Sequence, residues 1–230
     1  MNYFLTTFLF LVFAIGHAQE INQFDANGKR HGKWMKTYEG TDQIRYRGTF
    51  EHGQEIGTFE FFKLLEEEPK SGVEIHPFAT KTYTEGSDLV EIKYFTEKGN
   101  LLSTGKMKEK ERVGKWIYYH PDTDKVMRTE IYQNGTLNGE QITYFPNGKP
   151  TKIANYKNGK LHGITKIFAD EGSLLKYFTY ENGELNGVTK YFDADGNITA
   201  TGTYKDNRKD GIWKTYKNGK LVKTEEFPKH

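Results

Sequence analysis

The chain repeats itself, and no other feature limits its possible folds so strongly. Aligned on a glycine with an aromatic residue five positions later (six at Gly32, where Thr37 precedes Tyr38), it gives unit starts at Gly32, Gly57, Gly114, Gly139, Gly163, Gly187 and Gly211. From Gly114 onward the starts recur about every 24 residues. The stretch from Gly57 to Gly114 is too long for one unit. It resolves when Val90 takes a glycine place: Phe95 then stands five after it, Tyr83 seven before it and Gly86 four before it. The same seven-before place holds Phe50, Tyr132, Tyr156, Tyr180 and Tyr204 in other units. Eight units result, with starts near 32, 57, 90, 114, 139, 163, 187 and 211, and the second is longer than the rest. A period of this length belongs to repeat architectures, in which a unit that cannot bury its apolar face alone buries it against its neighbours.

Each unit reads as two strands and two turns. In one example Gly163 to Phe168 is a first strand, Asp170-Glu171-Gly172 a turn and Leu174 to Tyr180 a second strand. Asn147-Gly148, Asn158-Gly159, Asn182-Gly183 and Asn218-Gly219 are strong hairpin signals, because tight hairpin turns need positive φ at both central residues. Asn207 stands where other units have glycine, and asparagine tolerates left-handed geometry best among the other residues. With 24 Gly, 15 Tyr, 16 Phe and a mean hydropathy of −0.79, composition agrees with short strands and tight turns.

Tyr46-Arg47-Gly48-Thr49-Phe50-Glu51-His52-Gly53-Gln54-Glu55-Ile56-Gly57 and Tyr156-Lys157-Asn158-Gly159-Lys160-Leu161-His162-Gly163 resemble MORN repeats, in particular the bacterial variant of proteins labelled antitoxin-like. The resemblance spans about residues 24 to 227. It implies an all-β fold: an elongated, single-layer antiparallel β-hairpin repeat solenoid of about eight repeats, coiled and grooved, with roles in membrane or protein association. It implies no single activity.

Residues Met1 to Gln19 carry no charged side chain, and Phe4 to Ile15 are apolar apart from Thr6 and Thr7. A membrane-spanning helix needs about 20 apolar residues. With Gly16 and Ala18 as small residues before a cut, 1–18 reads as a cleaved secretory signal peptide, followed by the array at 24–230. The expected location is secreted or periplasmic, with no lipid anchor on cysteine. Cys is absent, so export brings no disulfides to the fold. The net charge of +2, from 33 basic and 31 acidic residues, gives no argument for nucleic acid as a partner.

Two aromatic columns follow from strand alternation. The fifth-position column, Phe62, Phe95, Tyr119, Tyr144, Phe168, Phe192 and Tyr216, is expected to be the stacked core. The second and fourth positions face the other way and hold Trp34, Phe59, Phe61, Tyr94, Trp116, Tyr118, Tyr191 and Trp213. An open sheet with aromatics on both faces needs either a second packing layer or a ligand surface. Either the second column covers itself by coiling, or it is a binding groove, with Trp34, Phe59, Tyr94, Trp116, Tyr118, Tyr191 and Trp213 as its candidate residues. The long connection 64–78, with Glu66-Glu67-Glu68-Pro69-Lys70-Ser71-Gly72, reads as a solvated loop and a secondary candidate for partner contact.

Catalytic signals are sparse. No thiol nucleophile is possible, and no Gly-x-Ser-x-Gly or phosphate-binding glycine loop occurs. His31 and His162 precede unit glycines, a placement the repeat explains. Asp193-Ala194-Asp195-Gly196-Asn197 resembles the start of a calcium loop, but Tyr204 stands where the closing glutamate is required. The expected function is a non-catalytic scaffold in the periplasm or outside the cell, binding a protein, a glycan or a membrane surface through the aromatic groove. No cofactor or metal is expected. The alternatives are an antitoxin-like protein that neutralises a partner, and a hydrolase or metal-dependent enzyme using scattered His, Asp and Glu.

Overall fold

The computed structural model of the chain describes residues 20–67 and 72–230. The expected signal peptide and part of the 64–78 connection lie outside the described residues. The fold is all-β. Among the described residues nineteen strands form one sheet in which every strand pairing is antiparallel.

A short β1 (Gln23–Phe24) opens the ladder, and eight hairpins follow. They are β2 and β3 (Arg30–Thr37, Ile44–Glu51), β4 and β5 (Gln54–Phe61, Ala79–Tyr83), β6 and β7 (Leu89–Phe95, Leu101–Lys108), and β8 and β9 (Glu111–Tyr119, Val126–Gln133). In the fifth, a first strand split into β10 (Thr136–Leu137) and β11 (Gly139–Tyr144) pairs with β12 (Pro150–Lys157). The sixth is β13 and β14 (Lys160–Phe168, Leu174–Glu181). In the seventh, β15 (Glu184–Leu185) and β16 (Gly187–Phe192) precede β17 (Ile198–Lys205). The eighth is β18 and β19 (Arg208–Lys217, Lys220–Phe227). Substantial strand contacts are between neighbours along this ladder, and among the described residues its first and last strands do not pair with each other, so the sheet does not close into a barrel.

Local chemistry accounts for the turns. Asn158 and Gly159 take φ of 51° and 78°, and Asn182 and Gly183 take 53° and 95°, the geometry whose twist matches flanking strands. Asn207 takes 64°. The unit glycines also lie at positive φ, from 61° at Gly211 to 133° at Gly139. Val90 differs: it pairs regularly with both Tyr83 and Met107 as ordinary strand, so its hairpin starts without the left-handed residue.

The core is not where the fifth-position column was expected to place it. Counted from the unit glycine, the deepest side chains stand at +2: Phe59, Ile92, Trp116, Thr165, Thr189 and Trp213 are all buried. Of the fifth-position aromatics only Phe62 is buried, and Phe95, Tyr119, Tyr144, Phe168, Phe192 and Tyr216 are half-buried. The registers show why. In most hairpins the pairing shifts between +4 and +5, so the fifth residue stands at a bulge near the hairpin tip, on the face opposite the +2 layer.

In the long connection the described residues 64–67 and 72–75 are exposed, as a solvated loop requires, and it is tied to the array by Leu65. The Leu65 amide donates to Gln43 Oε1 at 2.8 Å, and Gln43 Nε2 donates to the Leu65 carbonyl at 3.1 Å. Leu65, Val73, Ile75, Phe78 and Phe95 line a cavity of about 180 Å³ beside it.

Candidate functional site

A ring can be buried on a single sheet only if something flat lies beneath it and something covers it. The neighbouring strand supplies the floor. A Cβ built on Gly48 would lie 2.4 Å from the Phe59 ring, and one on Gly105 or on Gly202 would lie 2.3 Å from Trp116 or Trp213. These rings therefore rest on glycine backbone. Cations supply the lid: Arg112 lies 4.5 Å over Trp116, Lys209 4.4 Å over Trp213 and Arg30 5.0 Å over Trp34. Each indole N–H donates to a main-chain carbonyl, Trp116 to Lys106 at 3.2 Å, Trp213 to Thr203 at 3.0 Å and Trp34 to Gln23 at 3.1 Å.

Rings join along this face. Phe24, Trp34, Phe50, Phe59 and Tyr83 are linked by centroid distances of 5.1 to 5.8 Å, all edge-to-face. Further along, Trp116 meets Tyr118 and Tyr132, Phe178 meets Tyr180 and Tyr191, and Trp213 meets Tyr204 and Phe227.

The seven candidate residues thus divide by depth. Phe59, Trp116 and Trp213 are 1%, 0% and 5% exposed and belong to the packed layer, which corrects their reading as a ligand surface. A ring closed between a glycine floor and its neighbours has no face left to offer. Trp34, at the end of the array, and Tyr94, Tyr118 and Tyr191, at +4, are half-buried and keep accessible edges.

One polar cluster lies within the face. Glu130 is only 4% exposed, and its carboxylate accepts from Gln141 Nε2 at 2.8 Å and from the Tyr132 hydroxyl at 2.9 Å. Arg128 Nε stands 3.1 Å from the same carboxylate, and its guanidinium lies 4.4 Å over the Tyr118 ring. Arg112 Nη1 donates to the Tyr118 hydroxyl at 2.9 Å and to that of Tyr132 at 3.2 Å. A buried carboxylate requires such partners. Burial, then hydrogen bonding to Glu130 and Tyr132, pushes the Tyr118 phenol above its ordinary pKa. Burial likewise raises Tyr156 and Tyr180, and burial with the Tyr204 hydrogen bond raises Tyr191 to about 12. These phenols are neutral at physiological pH and serve as hydrogen-bonding groups.

The family model described as "MORN repeat variant" matches residues 137–158 and 185–206. These two stretches are similar to MORN repeats. Both matched MORN stretches begin at a leucine two before the unit glycine, Leu137 and Leu185, and have Gln141 and Thr189 at +2. Three units outside the matches pair a cation at −2 with tryptophan at +2: Arg30 with Trp34, Arg112 with Trp116 and Lys209 with Trp213. The lid and the ring therefore change together within one chain.

No curated protein matches the sequence. Among solved structures, a mutant of S. aureus TarM in complex with Fondaparinux, alpha-GlcNAc-glycerol and UDP aligns at 10% identity with a TM-score of 0.26. The overlap covers 56% of this chain and 21% of that one, so the chain spans about a fifth of that protein's length, a likeness too slight to carry an argument.

Sequence reasoning missed Arg112, Arg128, Glu130 and Gln141. A signal was present: Glu130 fills the second-strand slot that holds Gly48, Gly105, Ala154 and Gly202 in other units, an inward place where a carboxylate is costly. The calcium-like turn shows a local use for its first carboxylate, since Asp193 Oδ1 accepts the Asn197 amide at 2.8 Å. Among the described residues no group of three or more His, Cys, Asp or Glu could hold a metal ion, and no helix is long and apolar enough to cross a membrane.

Proposed function

We propose that the chain is a non-catalytic binding scaffold that works outside the cytoplasm and holds an extended protein or glycan partner along the rim of its aromatic face. The observation that supports this reading is a row of half-buried tyrosines, Tyr132, Tyr156, Tyr180 and Tyr204, one per unit at the same place in the repeat. Strands lie about 4.8 Å apart, so residues two strands apart repeat at about 10 Å. Such a row offers ring edges and phenolic groups at constant spacing to a partner that is itself periodic or extended. Tyrosine suits this role because it brings contact area and a polar handle at little entropic cost. The export part of the proposal rests on the uncharged, apolar Met1 to Gln19 segment.

Removing hydroxyls without removing rings separates binding from stability. The Tyr180→Phe, Tyr204→Phe double variant should keep the melting behaviour of the parent while its capture of partner from an envelope extract, read by mass spectrometry, falls by about tenfold. Undiminished capture of the same species by the double variant would refute the rim as the binding surface.

A further inference from the structure

The two ends of the sheet are treated differently. At the first, Gln23 and Phe24 pair with His31 and Arg30, the Asn22 amide donates to the Lys33 carbonyl at 2.9 Å, and Asn22 Oδ1 accepts the Met35 amide at 2.9 Å. That edge is covered from Arg30 to Met35. At the other, β19 pairs with β18 on one side, and among the described residues no strand pairs with its outer side. Residues 228–230 do not fold along that side, since the His230 amide donates to Asp210 Oδ1 of β18 at 2.6 Å. The open edge also carries exposed aliphatic groups, with Leu221 52% and Val222 60% accessible, and no proline from Lys220 to Phe227.

An unpaired edge is a template for another strand, and lysines on it ordinarily discourage pairing. Here the lysines have counterparts. Lys220 and Lys223 occupy the first half of β19, and Glu225 and Glu226 the second, so the strand is complementary to itself when antiparallel. We propose that β19 is a homodimerisation edge, pairing with β19 of a second copy about a two-fold axis at Thr224. This register sets Lys223 opposite the second copy's Glu225, Leu221 opposite its Phe227, and Thr224 opposite its own equivalent. Opposite charges across a strand pair stabilise it and like charges oppose it. Sliding the pair so that the axis falls one residue away brings Lys223 against Lys223 or Glu225 against Glu225. Intermediate slips move side chains to the other face. The register is therefore specified by the sequence. Because the first edge is covered, head-to-tail growth is blocked, and the assembly closes at two copies instead of extending into a fibre. Edge pairing buries little area, so the dimer is a weak, concentration-dependent one.

Sedimentation velocity of the full chain over a concentration series tests this. The parent should show reversible monomer–dimer exchange. Lys223→Glu and Glu225→Lys should each weaken it by at least about tenfold, because each sets like charges opposite twice. An equimolar mixture of the two variants should associate again, since Glu at 223 then meets Lys at 225. The chain lacks cysteine, so Thr224→Cys gives a single thiol on the axis that should cross-link two copies on mild oxidation, whereas Thr58→Cys should not. A parent that stays monomeric throughout, a dimer indifferent to either charge reversal, or a mixture that fails to re-associate would overturn the proposal. Circular dichroism of each variant checks that it is folded, and the thiol experiment stands if a charge variant is not.

Discussion

Thr189 has no exposed surface and its hydroxyl has no hydrogen-bond partner, and Thr165 repeats this at 3% exposure in the preceding unit. Both stand at +2, where four other units place a ring. A buried hydroxyl without a partner costs about 1 to 3 kcal/mol, and valine has nearly the same shape without that cost. Thr189→Val should therefore stabilise the chain by about 1 kcal/mol, seen as a higher urea midpoint with an unchanged slope. A lower midpoint would show that the hydroxyl is used. Single residues differ in how far they could be read in advance. Asn207 was legible because its backbone preference is its own, and it takes φ of 64°. Glu130 was not read, because its meaning lies in its pairing with Gln141 of β11 together with Tyr132 and Arg128 of its own strand.

At the scale of the element, what matters is the fit between a +2 side chain and the second strand before it. Phe59, Trp116 and Trp213 rest on Gly48, Gly105 and Gly202, whereas Thr165 lies opposite Ala154 on one side and Phe178 on the other. The bulk is constant while its owner changes, as close packing requires. Gly105→Ala places a methyl carbon 2.3 Å from the Trp116 ring, and overpacking of this kind costs about 1 to 3 kcal/mol. Adding Trp116→Val to Gly105→Ala should recover part of that loss in denaturant unfolding, although Trp116→Val alone destabilises. Additive losses would mean that the two positions do not share one space. The expectation that the fifth-position aromatics form the core failed at this scale: alternation gave two faces correctly, but the bulge between +4 and +5 appears only in the pairing of strands such as β8 with β9.

For the whole molecule, a ladder held by neighbour contacts should tolerate loss of one complete rung. Deleting residues 163–186 joins His162 to Gly187 and sets Thr189 opposite Ala154, where Thr165 now stands. The shortened chain should retain its β-sheet circular dichroism and melt at a lower temperature; loss of a cooperative transition would reveal contacts beyond neighbours. The repeat period, the alternation of faces and the turn residues are short-range properties, so the sequence by itself determined an antiparallel hairpin array of eight units. Which face became the core, how a carboxylate came to be buried, and which edge stayed open were decided only by the tertiary structure. These depend on what one strand presents to the next: a glycine floor beneath Trp116, an arginine above it, and, among the described residues, no strand along the outer side of β19.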